Sequence, residues 1–131
     1  MKRLHISLGV TAFEQSLAFY SALFGSEPSL VKDGYAKWLL DDPCINFVIE
    51  HRKNRGLDHM GVQVEDLTEL NQLADRLKDA DLTTKDQREA TCCYAKSDKT
   101  WTKSPDGILW ETFVTHGESE AYGTDRAPVI D

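Results

Sequence analysis

The sequence predicts an α+β fold of two consecutive, pseudo-symmetric β-α-β-β-β modules, and three observations carry that reading. A strand pattern, an amphipathic helix and three further strand-sized runs follow one another over residues 1–50. The same order begins again at residue 57 and ends near 116. Short motifs also recur between the two stretches in one consistent order, the signature of an internal repeat. The expected organisation is a single domain over 1–131, with modules at about 1–50 and 57–116 and a polar tail at 117–131.

The elements follow from local pattern. Leu4, Ile6, Leu8 and Val10 alternate with His5, Ser7 and Gly9, as in a half-buried strand. Thr11 and Glu14 have the spacing of a capping box. The helix that follows carries Phe13, Leu17, Tyr20 and Phe24 on one face, and Gly25 stops it. Strands are expected at Pro28 to Lys32, Tyr35 to Leu40 and Ile45 to Glu50, with turns at Gly34 and at Asp41-Asp42-Pro43. The basic stretch from His51 to Gly56 reads as a linker. In the second module Met60, Val62 and Val64 alternate with His59, Gly61 and Gln63. Asp66 and Glu69 form a weaker capping pair, and Leu67, Leu70, Leu73 and Leu77 line a helix. Strands are expected from Thr83 to Cys92, Lys99 to Lys103 and Leu109 to Val114, and the acidic tail is expected to attach loosely.

The register of the repeat decides which residues correspond. His5 aligns with His59 at an offset of 54, and Tyr35-Ala-Lys37 with Tyr94-Ala-Lys96 at 59. Trp38 aligns with Trp101 at 63, and Asp42-Pro-Cys-Ile-Asn-Phe47 with Asp106-Gly-Ile-Leu-Trp-Glu111 at 64. The second module is thus ten residues longer, and the extra length lies around Tyr94-Ala-Lys96, beside two adjacent cysteines. Clustered inserts of this kind mark a working loop.

Composition narrows the partners. A net charge of −7 argues against nucleic acid, which needs a basic face. Apolar runs are strand-sized, so no membrane span is expected. The start of the chain lacks the apolar stretch of a signal peptide, and three cysteines make no disulfide framework. A cytoplasmic protein with reduced thiols is expected.

His5 and His59 stand at the same place and in the same phase of two equivalent strands, His5 between Leu4 and Ile6 and His59 followed by Met60, apolar neighbours that face the helix. Glu111 shares its face with Leu109 and Phe113 on the last strand. A lone strand histidine is more often a satisfied or exposed residue. Two unrelated histidines, however, have no reason to share phase. If both modules curl around one cavity, His5, His59 and Glu111 converge as a two-histidine, one-carboxylate set, which suits Fe(II) and leaves coordination positions open for oxygen and substrate. Phe47, at the position aligned with Glu111, cannot bind metal, so the site is of the open, catalytic kind. His51 and His116 have no such counterpart and read as surface residues.

With these residues in place, the chain resembles the vicinal oxygen chelate superfamily, which includes glyoxalases, extradiol dioxygenases and fosfomycin-resistance thiol transferases. Within it, the chain is most similar to the carbon–arsenic lyases and the related cadmium-induced proteins. The matching stretches are Leu4-His5, Phe19-Tyr-Ser-Ala-Leu-Phe-Gly25, Tyr35-Ala-Lys-Trp38, Asp58-His-Met-Gly-Val-Gln-Val64, Cys92-Cys-Tyr-Ala-Lys-Ser-Asp-Lys99 and Trp110-Glu-Thr-Phe113. The Cys-Cys stretch is the most specific of them. The resemblance implies an Fe(II)-dependent dioxygenase that cleaves the carbon–arsenic bond of trivalent organoarsenicals. Methylarsonous acid would give arsenite, with the methyl carbon leaving as formaldehyde, and aromatic arsenicals are further candidate substrates. Other divalent metals remain open, as does a homodimer.

Trivalent arsenic is soft and takes thiolates, and a monosubstituted arsenical has two exchangeable hydroxyls. Cys92 and Cys93 match that count. Adjacent side chains on a regular strand face opposite ways, so both grip one arsenic only where the segment is irregular or rearranges. Lys96 and Lys99 favour the thiolates by charge. Lys99, Phe47 and Trp101 join the expected substrate-binding set, whereas Trp110 has the wrong phase relative to Glu111. Cys44 reads as a small buried hydrophobe. Two rivals stand beside the lyase reading: a cadmium or heavy-metal-binding resistance protein without turnover, and an antibiotic thiol transferase.

Overall fold

A computed structural model describes residues 1–92, 94–118, 122–123 and 127–131. The chain runs β1 (Arg3–Val10), α1 (Phe13–Phe24), β2 (Leu30–Lys32), β3 (Tyr35–Asp41) and β4 (Cys44–His51). It continues with β5 (Gly56–Gln63), α2 (Leu67–Asp79), β6 (Lys85–Cys92), β7 (Ala95–Lys103) and β8 (Leu109–Glu118). This is β-α-β-β-β twice over. In each copy the strands lie side by side in the same order: β2-β3-β4-β1 in the first and β6-β7-β8-β5 in the second. The chain forms two compact units, Arg3–Met60 and Gly61–Asp131 with Met1–Lys2, whose boundary falls inside β5. No helix among the described residues is long and apolar enough to cross a membrane.

In the first unit β1 runs parallel to β4, His5 opposite Asn46 and Ile6 opposite Phe47. Trp38, Ile49 and Ala36 are fully buried there, and α1 covers them with Phe13, Leu17, Tyr20 and Phe24, the stripe expected from the sequence. Gly25 ends the helix at φ 63°, a left-handed cap that glycine adopts without penalty. The capping box does not form. The helix begins at Phe13 with Ala12 as N-cap and no side-chain cap bond, leaving Thr11 one residue too early.

Phe47 lies in this core rather than on the histidine face. Its ring is 4.7 Å from Tyr20 and 5.1 Å from Phe24, centroid to centroid. That corrects its expected part in lining a substrate pocket. Phe47→Glu is accordingly expected to bury an unpaired charge among aromatic rings and to lower stability by about 3 kcal/mol or more. A denaturant midpoint unchanged from the parent chain would contradict this placement.

In the second unit Asp66 caps α2 by accepting from the Glu69 N–H at 2.8 Å, and Glu69 accepts from the Glu65 N–H at 3.0 Å. The weaker capping pair of the sequence is therefore the one that forms. The helix buries Leu70 and Ala74, four residues apart, whereas Leu67 is 46% exposed. The extra length of this module goes into a long β6–β7 hairpin. The tail is less loose than expected. Ile130 is buried and its carbonyl accepts from Lys103 Nζ at 3.0 Å. Gly123, at φ 88°, sits where a Cβ would come within 2.1 Å of the Thr91 carbonyl oxygen.

Candidate metal centre

β1 turns His5 into the unit, where it is 5% exposed. Its Nδ1 lies 3.0 Å from the Asn46 carbonyl oxygen and 3.3 Å from Asn46 Oδ1. Both are acceptors, so Nδ1 carries the proton and Nε2 of the neutral ring presents a lone pair. On β5, His59 Nδ1 lies 2.7 Å from Asp58 Oδ2, which fixes the same tautomer. Arg52 holds Asp58 from behind at 3.8 Å and Glu50 at 2.5 Å. Outer partners of this kind orient metal-ligating histidines. The two Nε2 atoms then face each other at 3.1 Å. Two lone pairs so close repel unless a proton is shared between them or a cation lies beside both, and the donor chemistry of the pair fits a divalent metal.

Glu111 belongs to the second unit, on β8, and is 4% exposed. Its Oε2 accepts from Lys99 Nζ at 3.1 Å, a pair buried on both sides. Lys99 Nζ also stands 5.7 Å over the Trp101 ring, and Trp101 donates from Nε1 to Gln87 Oε1 at 3.0 Å. Trp101 pairs with Glu111 across β7 and β8, so Lys99, Trp101 and Glu111 share one face. Glu111 comes this close because Gly61 lacks a side chain. A Cβ there would lie 2.3 Å from the Glu111 carbonyl oxygen and 2.9 Å from Cγ. Gly61→Ala is therefore expected to push Glu111 out of place and to cost about 1–3 kcal/mol. Thermal unfolding of the variant checks this, and an unshifted midpoint would mean that the contact relaxes freely.

The repeat can now be read in register. Glu111 abuts Gly61, two residues after His59. Two residues after His5 stands Ser7, opposite Val48. The counterpart of Glu111 in the first module is thus Val48, not Phe47, and it too is apolar. An apolar residue at that position offers no further metal donor.

Cys92 is half-buried at the end of β6, opposite Ala95, and is in no disulfide; Cys93 lies outside the described residues. Tyr94 at φ 65° breaks the strand directly after the pair, so simple alternation does not extend past Cys92. Lys99 stands four residues beyond Ala95, about 13 Å along the strand. It pairs with Glu111 and stands away from Cys92, which corrects its expected effect on that thiol. Sequence reading missed Asp58, Asn46 and Arg52. The Asp-His pair was a signal for the first of these, whereas Asn46 is found only from the parallel pairing of β1 with β4.

Paired β-α-β-β-β modules with this strand order are the arrangement of the vicinal oxygen chelate fold. The chain belongs to the Glyoxalase/Bleomycin resistance protein/Dioxygenase superfamily, whose family model matches residues 2–112. It is 41% identical over 128 residues to a "Trivalent organoarsenical cleaving enzyme" of Bacillus sp. (strain MD1), covering 95% of this chain and 80% of that protein. It is 35% identical over 126 residues to "Cadmium-induced protein CadI" of Mycobacterium tuberculosis, covering 95% of this chain and 83% of that one. Among solved structures, an extradiol ring-cleaving dioxygenase from B. fuscum shares the fold with a TM-score of 0.67 at 17% identity. That match spans 90% of this chain but 34% of the dioxygenase.

Proposed function

We propose that this protein cleaves the carbon–arsenic bond of trivalent organoarsenicals, using Fe(II) held by His5, His59 and Glu111 and oxygen as co-substrate. The observation that carries the reading is the approach of two imidazole lone pairs to 3.1 Å at repeat-equivalent positions. Glu111 is the natural third ligand. It packs on Gly61, and residues 59 and 61 of one strand share a face. The likeness to the organoarsenical cleaving enzyme supports the substrate class.

In this reading Asn46 and Asp58 keep both rings in the tautomer that offers Nε2, and Trp101 walls the face that bears Glu111. Cys92 and Cys93 take the arsenic by displacing its two hydroxyls. Cys92 pairs with Ala95, six residues along β7 from the partner of Glu111, about 20 Å at ~3.4 Å per residue. The hairpin must therefore bend to deliver the arsenical. An Fe(II) ion held by His5, His59 and Glu111 would supply the activation of oxygen. The conversion balances without an added reductant: methylarsonous acid plus O2 gives arsenous acid plus formaldehyde. Arsenic stays trivalent, the methyl carbon is oxidised and O2 is reduced. A reducing cytoplasm, which keeps the thiols available, suits such an enzyme.

Anaerobic loading with Fe(II), then addition of O2 and methylarsonous acid, is expected to release arsenite and formaldehyde in equal amounts. No arsenite above an iron-free control would overturn the proposal. A second reading, thiol-based binding of heavy metal without turnover, is favoured by the likeness to the cadmium-induced protein. Arsenical bound stoichiometrically and never converted would select it.

A further inference from the structure

The β6–β7 ladder changes step beside Asp98. Lys85 pairs with Trp101 and Gln87 with Lys99, but the next pairs are Ala90 with Ser97 and Cys92 with Ala95. Arg88 and Glu89 thus stand opposite Asp98 alone, a β-bulge with one extra residue. Glu89 adopts φ 50°, a left-handed conformation unfavourable for a side chain of its kind. A second irregularity lies on the other side, where β7–β8 pairing passes from Ser97–Thr115 to Lys96–Gly117 and leaves His116 unmatched in the ladder.

One buried carboxylate pins both. Asp98 Oδ1 accepts from the Glu89 N–H at 2.6 Å, and Oδ2 lies 3.0 Å from His116 Nε2. Arg88 Nη1 donates to the Lys99 carbonyl at 2.9 Å and closes the bulge. Burial pushes the Asp98 carboxyl up, yet the Glu89 N–H, His116 and Arg88 outweigh it and hold the group below the usual carboxylate range.

The extra residue reverses the faces of β6. β7 is regular, so Ala95, Ser97, Lys99 and Trp101 share the face of Glu111, and Lys85 and Gln87 join it by pairing. Uninterrupted alternation would next bring Glu89 and Thr91 to that face and turn Cys92 to the helix side. With the bulge, Ala90 and Cys92 take the Glu111 face instead. Burial agrees: Ala90 is 3% exposed, and Glu89 is exposed.

We propose that Asp98 is a positioning residue for substrate binding: by pinning the Arg88–Glu89 bulge it keeps the Cys92 thiol on the face that bears Glu111. The proposal rests on the organoarsenical reading for the role of the thiol, but not for the register. Without the pin, the ladder can continue in regular step, setting Thr91 opposite Ala95 and Cys92 in a longer turn.

The test uses the full chain and three variants: Asp98→Asn, Asp98→Ala, and Asp98→Ala with Glu89 deleted. Asparagine retains an acceptor for the Glu89 N–H. Deleting Glu89 removes the extra residue, so a regular ladder sets Cys92 opposite Ala95 with no pin. Register is read by cross-strand NOEs between residues 92 and 95, arsenical affinity by titration with phenylarsine oxide, and the metal site by Mn(II) affinity. Asp98→Ala is expected to lose the 92–95 NOEs and about tenfold or more in arsenical affinity, with Mn(II) affinity retained. Asp98→Asn should stay within about threefold of the parent chain, since a neutral acceptor replaces a charged one. The deletion variant should recover both the NOEs and the affinity. Retention of the NOEs and affinity in Asp98→Ala, or a folded deletion variant that stays weak, would overturn the proposal. Should Asp98→Ala not fold, the deletion variant decides alone. A parent chain that shows the 92–95 NOEs but does not bind the arsenical would instead sink the substrate reading, leaving Asp98 to be judged by register.

Discussion

Replacing His59 by alanine is expected to abolish stoichiometric uptake of Fe(II), and His5→Ala and Glu111→Ala should do the same. A site with three protein donors has none to spare, and losses of two orders of magnitude or more in affinity follow from removing one. The expectation is sharpened by how the rings are held. Asn46 and Asp58 already fix both tautomers, so the loss is of a donor and not of orientation. Stability should separate the three variants. Glu111→Ala leaves Lys99 as a buried cation without its carboxylate, at a cost of about 3–5 kcal/mol. His59 is more peripheral, and its loss should shift the unfolding midpoint far less. Elemental analysis after anaerobic loading measures the metal, and circular dichroism measures the midpoint. One equivalent of iron on a folded His59→Ala chain would end the assignment.

Replacing both Cys92 and Cys93 by serine should abolish binding of methylarsonous acid and leave Fe(II) binding nearly intact. Hydroxyls are poor ligands for a soft centre, whereas the proposed metal ligands are nitrogen and oxygen donors on other strands. Either single replacement should do most of the damage. A lone thiolate loses the effective concentration that a second linked thiolate provides, worth roughly a hundredfold or more. Titration followed by protein fluorescence, alongside elemental analysis of iron, reads both effects on one set of samples. Turnover of methylarsonous acid by the double variant would reduce the cysteine pair to packing.

Much of this was legible in the sequence because it is periodic. Strand alternation around His5 and His59, the helical stripe Phe13, Leu17, Tyr20 and Phe24, and the repeated element order all depend on local geometry that any window of the chain reveals. The misses share a cause as well. Thr11 and Leu67 have the right residue types at the right spacing. Yet α1 begins one residue later than the capping box implies, and α2 turns Leu70 and Ala74 inward in preference to Leu67.

The sequence by itself determined that there are two modules, that their first strands carry equivalent histidines, and that the last strand carries an acidic residue. Only the tertiary structure decided which residue of β4 corresponds to that glutamate. The turn between β3 and β4 has two residues, Asp42 and Pro43, whereas that between β7 and β8 spans residues 104–108. Aligning the similar turn motifs therefore mismatched the ladders by one residue. In a strand one residue is the difference between faces, so Phe47 went to the aromatic core and Val48 to the histidine side. The face of Cys92 was hidden for the same reason. It depends on an extra residue opposite Asp98, and a bulge is a property of two paired strands that neither strand shows alone.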